Sequence, residues 1–410
     1  MIPKRSRILA ALFLGGMLST HIAICWLVRG QVAEARPDFL IYYTEARIFH
    51  SSEPANLYDE ATEATIQRQV AAPNWTPRQV KPYMHPPFEI LLFAPLGSFS
   101  FVGAYAVWGA INLLLLLVCV LLFRKTFPLF REFNPALWLI GLLSFFPIFL
   151  TMLEGQDTLF VLLAYICSFR ALRRNAELSA GAWLGLGLVR PHLVLPFVFI
   201  LALRRKWTFL GGFALSMAGA AALSILVVGW RGALAYPRYI WSLEHSRSAL
   251  VIPAQYIPNL RGLVEYFGRS LLSPALLVVL TVLASLLLAI WAASKWASVP
   301  GGDGPLSDVP FCIALVAASL MSYHEFIYDF SILMLPIVVT LNAAEGLARD
   351  IMFKVWCLLP ILLFFLSPLY VLLWYHWGLL NLMALFELGF AYGVSRELTE
   401  REDFLATASP

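Results

Sequence analysis

Residues 178–203 read LSAGAWLGLGLVRPHLVLPFVFILAL, a long apolar stretch broken by Arg190-Pro191-His192. As one helix it is long enough to cross a hydrocarbon core of roughly 30 Å. Arg173 and Arg174 precede it, however, and Arg204, Arg205 and Lys206 follow it. Positive charge at both ends of a single crossing conflicts with the preference of basic residues for one side of a membrane. Two half-length helices of about 12 residues, or about 18 Å each, turning at Arg190-Pro191-His192, remove the conflict. Proline breaks the helix there, and an arginine and a histidine at the turn must face protein or water. The stretch therefore predicts a hairpin whose tip opens into a polar cavity.

Outward from it, the chain keeps the same character. Only 13% of its 410 residues are charged and 60% are hydrophobic, with mean hydropathy +0.76. A soluble domain carries roughly 25% charge. Further apolar runs fall at 8–28, 101–123, 136–153, 158–171, 207–229, 271–293, 309–323, 326–341, 354–374 and 378–393, without the alternation of a membrane barrel. The fold class is an all-α polytopic membrane protein, a bundle of about 10–12 transmembrane helices including the broken hairpin. One membrane domain spans 1–395, with outer loops 29–100 and 230–270, an inner linker at 299–308 and a short polar tail at 396–410. Residues 56–69 suit an amphipathic helix lying on the membrane surface.

A net charge of +4 argues against nucleic-acid partners, and five cysteines inside apolar runs read as packing residues. With the hairpin, every inner loop holds a basic residue and the short outer connections hold none. That pattern places both termini in the cytoplasm. The first run has no small-x-small cleavage site after it and reads as a retained anchor.

The unusual polar residues converge on the outer face. Asp38, beside Phe39, Tyr42 and Tyr43 at the membrane boundary, suits a general base; it equally suits a cap for the helix that begins after it. Lys81 and His85 stand beside the rigid Pro86-Pro87 and suit an anionic head group, or an ordinary loop with a snorkelling lysine. Glu154-Gly155-Gln156-Asp157 is an acidic turn in which Asp157 can cap the next helix. Arg190 and His192, beside the start of a half-helix, suit a phosphate. In SYHEFIYDF, residues 322–330, helical spacing pairs His324 with Tyr328 and Glu325 with Asp329. No metal-binding motif, phosphate loop, nucleophile elbow or CxxC pair is present, so no metal and no cofactor is expected.

The order of these motifs resembles glycosyltransferase family 87, integral-membrane enzymes of the GT-C fold that use a polyprenyl-phosphate sugar, usually mannose. The resemblance rests on Asp38-Phe39 with Tyr42-Tyr43, Leu57-Tyr58-Asp59, Tyr83 to Pro87 with Pro95-Leu96, and Trp108 with Asn112. It continues through Gly155-Gln156, Arg190-Pro191, Asn259, and Tyr323-His324 with Asp329. Two departures stand out: Arg190 where lysine is common, and Asn259-Leu260-Arg261 where Asn-Gln-Ser is frequent. The resemblance implies an inverting hexosyltransferase with Asp38 as base and His324 and Asp329 orienting the acceptor or Asp38. Arg190, His192, Lys81 and His85 would hold the donor phosphate. Tyr42, Tyr43, Gln156, Asp157, Asn259 and Glu325 are then candidates for acceptor or sugar contacts. The implied partners are a polyprenyl-phosphate sugar, a lipid or glycan acceptor and membrane lipids. A different class, a transporter or flippase of a lipid-linked glycan, would also use the broken helix at Arg190-Pro191.

Overall fold

The computed structural model describes residues 4–51, 56–72, 80–132, 134–245, 252–297, 308–343 and 350–398. The linker expected at 299–308, except Asp308, and most of the tail at 396–410 lie outside them. The described residues are helical and contain no strand. In chain order the helices are α1 Lys4–Ala33, α2 Phe39–Phe49, α3 Glu60–Ala71, α4 Phe101–Thr126, α5 Pro135–Leu143, α6 Phe146–Glu154, α7 Thr158–Leu172, α8 Glu177–Gly185 and α9 Pro191–Leu203. They continue as α10 Trp207–His245, α11 Leu260–Gly268, α12 Pro274–Ala297, α13 Asp308–Leu320, α14 Met334–Ala343, α15 Ile351–Phe365, α16 Ser367–His376 and α17 Met383–Gly393.

Among the described residues, four helices are long and apolar enough to cross a membrane alone: Ile8–Ala33, Phe101–Thr126, Trp207–Ser242 and Pro274–Trp296. The count rises to six if the bent pairs α5/α6 (79°) and α15/α16 (72°) each make one span. The other apolar helices among the described residues, such as Thr158–Leu172, Pro191–Leu203, Asp308–Leu320 and Ile327–Ala343, are shorter. Proline explains one break. Pro147 has no N–H to give the Leu143 carbonyl four residues earlier, and His21 from α1 takes its place, Nδ1 to Leu143 O at 2.9 Å. The other ring nitrogen of His21 meets Ser367 Oγ at 2.6 Å, where α15 breaks into α16. One buried histidine therefore joins α1 to both bent pairs.

The stretch 178–203 does fold back. α8 runs into a 3-10 turn, Leu186–Val189, the backbone leaves helical geometry at Arg190, and α9 starts on Pro191. Glu177 at the start of α8 and Lys206 just past α9 form an ion pair at 2.8 Å. A straight helix over those positions would hold them about 40 Å apart. α8 lies closely on α10: a Cβ on Gly181 would meet Phe209 O at 1.9 Å, and one on Gly212 would meet Leu178 O at 1.9 Å. Small residues at helix contacts are a common solution inside membranes, where backbones must approach to gain dispersion energy.

Two regions expected as loops hold helices. α10 continues past a kink at Gly229 (φ 71°) as far as His245, and α11 occupies part of the remainder of 230–270. The segment 29–100 carries α2, α3 and the short turns Pro87–Glu89 to Ala94–Ser98. Phe39, Tyr42, Tyr83, Phe93 and Trp108 form the centre of a small core at this end, and a larger core fills the rest of the bundle.

Candidate functional site

The turn between α6 and α7 organises the site. Gly155 sits at φ 67°, and a Cβ there would lie 2.7 Å from Phe39, so only glycine permits both the turn and the contact. Trp108 Nε1 donates to Gly155 O at 2.9 Å, and Asn112 Nδ2 donates to Gln156 O at 3.1 Å. α4 thereby sets the direction in which the Gln156 and Asp157 side chains leave the turn. Asp157 stands in the capping position of α7 but does not cap it, and the same is true of Asp38 before α2. Both carboxylates are released for other partners.

Arg190, at the hairpin tip and 3% exposed, gathers those partners. Its Nε meets Asp157 Oδ1 at 2.5 Å, Nη1 meets Asp329 Oδ1 at 2.8 Å, and Nη2 reaches Tyr42 Oη at 3.0 Å and Gln156 Oε1. The guanidinium has five N–H groups, so few remain for a ligand. Burial alone would raise Asp157, but the Arg190 charge outweighs it and holds the carboxyl at about 2. Asp329 also accepts from Phe326 N at 2.9 Å.

Gln156 links this buried cluster to an open one. Its Nε2 donates to Asp38 Oδ2 at 3.0 Å, and Lys81 Nζ meets Asp38 Oδ1 at 2.7 Å. Gln67 of α3 pairs with both backbone groups of Lys81 (2.8 and 3.0 Å), which fixes the lysine opposite Asp38. The Asp38 side chain is 29% exposed and lines a cavity of about 270 Å³ with Lys81, Arg36, Glu154, Tyr256, Tyr328 and Trp374.

The other expected residues divide. His192 and His324 approach each other, ring centroids 6.3 Å apart; neither Nε2 has a hydrogen-bond partner, and that of His192 lies 3.9 Å from Asp329 Oδ2. Burial and the neighbouring His192 push His324 down to about 3, so its ring is neutral. His85 is turned into the interior, Nδ1 at 3.0 Å from Glu89 Oε2. Burial lowers it to about 4, so the contact is between a neutral ring and the acid and is not an ion pair. Tyr43 donates to Phe99 O at 2.7 Å, and Asn259 caps α11 and donates to Ser322 O at 2.5 Å, so both serve the backbone.

The helical spacing expected at 322–330 does not form. Residues 321–326 are a loop and Ile327–Leu333 is a 3-10 helix, so Glu325 and Asp329 do not share a face, nor do His324 and Tyr328. Glu325 points into the bundle instead, bonded to Ser319, which also contacts Glu387 at 2.9 Å.

Glu89 was not among the expected site residues. Its signal was an acid in the apolar stretch directly after Pro86-Pro87. His85, Glu89 and Asp157 bring ligand-capable atoms within 4.8 Å of one another, the one group among the described residues able to hold a metal ion.

A multi-span helical bundle with acid, amide and arginine groups gathered around Arg190 is consistent with a GT-C-like membrane protein. More narrowly, the chain belongs to glycosyltransferase family 87, which it matches over residues 83–322, more than half its length. Membership implies, in general terms, a lipid-linked sugar donor and a lipid or glycan acceptor. No curated protein and no solved structure gives a significant match.

Proposed function

We propose that the protein is an inverting hexosyltransferase that moves a sugar, mannose in the first instance, from a polyprenyl phosphate to a lipid or glycan hydroxyl at the outer face of a bacterial inner membrane. The observation that carries the reading is the Asp38 carboxylate, held by Lys81 and Gln156 at the wall of the cavity. Asp38 takes the proton of the acceptor hydroxyl, whose oxygen attacks the anomeric carbon. The new C–O bond forms as the bond to the phosphate oxygen breaks, and the polyprenyl phosphate departs with the electron pair.

Inversion requires base and leaving group on opposite sides of the anomeric carbon. Lys81, directly bonded to Asp38, therefore suits orientation of the base. His324, with an uncommitted Nε2, and His192, whose Nε2 lies 3.9 Å from Asp329 Oδ2, suit the departing phosphate. Arg190 contributes its field and the geometry of Asp157, Asp329 and Gln156. No step calls for a metal ion, and full activity is expected in excess chelator.

Incubating the purified protein with a panel of polyprenyl-phosphate sugars and measuring release of free lipid phosphate tests the reading. Asp38→Asn is expected to lower turnover about a thousandfold while the protein stays folded in detergent. Undiminished turnover in that variant would remove Asp38 as the base.

A further inference from the structure

The pair Glu89 and Asp157 is buried, with both residues at 0% exposure, yet Glu89 Oε1 and Asp157 Oδ2 have no hydrogen-bond donor from any other group. The two carboxyl groups bring oxygens within 4.8 Å of each other. Two acceptor oxygens in direct contact need a proton or a cation between them. The remaining contacts decide between them. Glu89 Oε2 accepts from Tyr83 Oη at 3.1 Å and lies 3.0 Å from His85 Nδ1, and Asp157 Oδ1 accepts from Arg190 Nε. One hydrogen placed on Glu89 Oε1 then satisfies every oxygen of both carboxyl groups, with nothing left over. Arg190 holds Asp157 in its ionised form, so the hydrogen belongs to Glu89.

We propose that Glu89 is a positioning residue that stays protonated, donates to Asp157 Oδ2, and so fixes the carboxylate that holds Arg190 at the hairpin tip. Asp157 is thereby gripped at both oxygens, by an acid on one side and a guanidinium on the other. Tyr42 and Gln156, which share the Arg190 Nη2 group, are aligned in turn, and Gln156 carries that alignment to Asp38. Glu89 touches no reacting atom in this scheme.

The proposal rests on the glycosyl-transfer reading only where turnover is measured. Glu89→Gln keeps a donor toward Asp157 and an acceptor toward Tyr83 and His85, whereas Glu89→Leu keeps neither. In polyprenyl-phosphate release, Glu89→Gln is expected within about threefold of the wild type. Glu89→Leu should lose about ten- to a hundredfold, the effect of an orphaned buried acceptor. Independently of turnover, the infrared spectrum of the wild-type protein at pH 8 should contain a protonated-carboxyl band that Glu89→Gln removes.

Loss of turnover in folded Glu89→Gln equal to that in Glu89→Leu would overturn the proposal. So would an infrared difference spectrum without that band, or one divalent ion per chain retained by the wild type and lost in Glu89→Gln, which would make the group a metal cage. If the wild type transfers no sugar, the functional reading fails while the infrared and metal measurements still decide the state of Glu89.

Discussion

Two charged clusters lie on either side of Gln156, and they are built on opposite terms. Arg190 with Asp157 and Asp329 is sealed: all three are at or below 3% exposed and nearly every polar atom is matched within the protein. Asp38 with Lys81 is open, about 30% exposed on each side chain, and faces the cavity. A sealed ion cluster is costly to assemble and more costly to break, because removing one partner strands the others in low dielectric. An open pair contributes little to stability and can exchange partners with a substrate. The difference teaches that the Arg190 donors, expected to hold a phosphate, are turned to protein partners, while the Asp38 carboxylate, 29% exposed, faces the cavity.

Substitutions should separate the two clusters. The largest effect belongs to Asp38→Asn, the thousandfold loss of turnover described above, with thermal unfolding in detergent unchanged. Arg190→Met should act through the fold, costing about 3–5 kcal/mol by leaving Asp157 and Asp329 unpaired. Its melting curve decides the matter: a midpoint equal to that of the wild type would mean the cluster does not support the fold.

A third test concerns the scaffold behind Lys81. Glu63 of α3 is buried beside Glu45, and burial raises it to about 7. The folded state then binds a proton that the unfolded chain releases above its ordinary value near 4.5. Stability from this group is fully present below that value and is lost as pH rises to about 7, by up to about 3 kcal/mol. Hydrogen exchange across residues 60–71 should slow between pH 8 and pH 5, after correction for intrinsic rates, and Glu63→Gln should remove the difference. Equal pH dependence in that variant would place the effect elsewhere. The smallest stability change is expected for Lys81→Met, under about 1 kcal/mol. If the open cluster serves reaction rather than folding, its turnover must nevertheless fall; unchanged turnover would erase the distinction drawn between the clusters.

Legibility in the sequence followed the same division. The hairpin at 178–203 was readable because charge at both ends of an apolar run admits few solutions, and the Glu177–Lys206 contact is its physical outcome. The positions of Asp38, Gln156, Arg190 and Asp329 were visible as polar residues in membrane-adjacent turns. Their partners were not. Asp38 and Asp157 stand where helix caps stand, and nothing local reveals that each bonds across the fold instead. Glu325 looked like a neighbour of Asp329, but a 3-10 turn in place of a helix sends the two side chains in different directions. Glu89 was hidden because a single acid in an apolar stretch has no meaning until Asp157 is brought against it.

Composition and charge placement by themselves determined that this is a helical membrane protein, and the order of its motifs pointed to its family. These properties depend on each segment's own transfer into lipid, which is a sum over residues. Which runs cross, which break, and which polar groups meet were decided only in the tertiary structure. Pro147 breaks a run, yet only His21 from α1 satisfies the carbonyl it frees. Arg190 announces a polar tip, yet only packing of α2, α7 and the 327–333 turn around it supplies the acceptors for its donors. A buried polar group is defined by its partners, and those partners are brought together from distant parts of the chain.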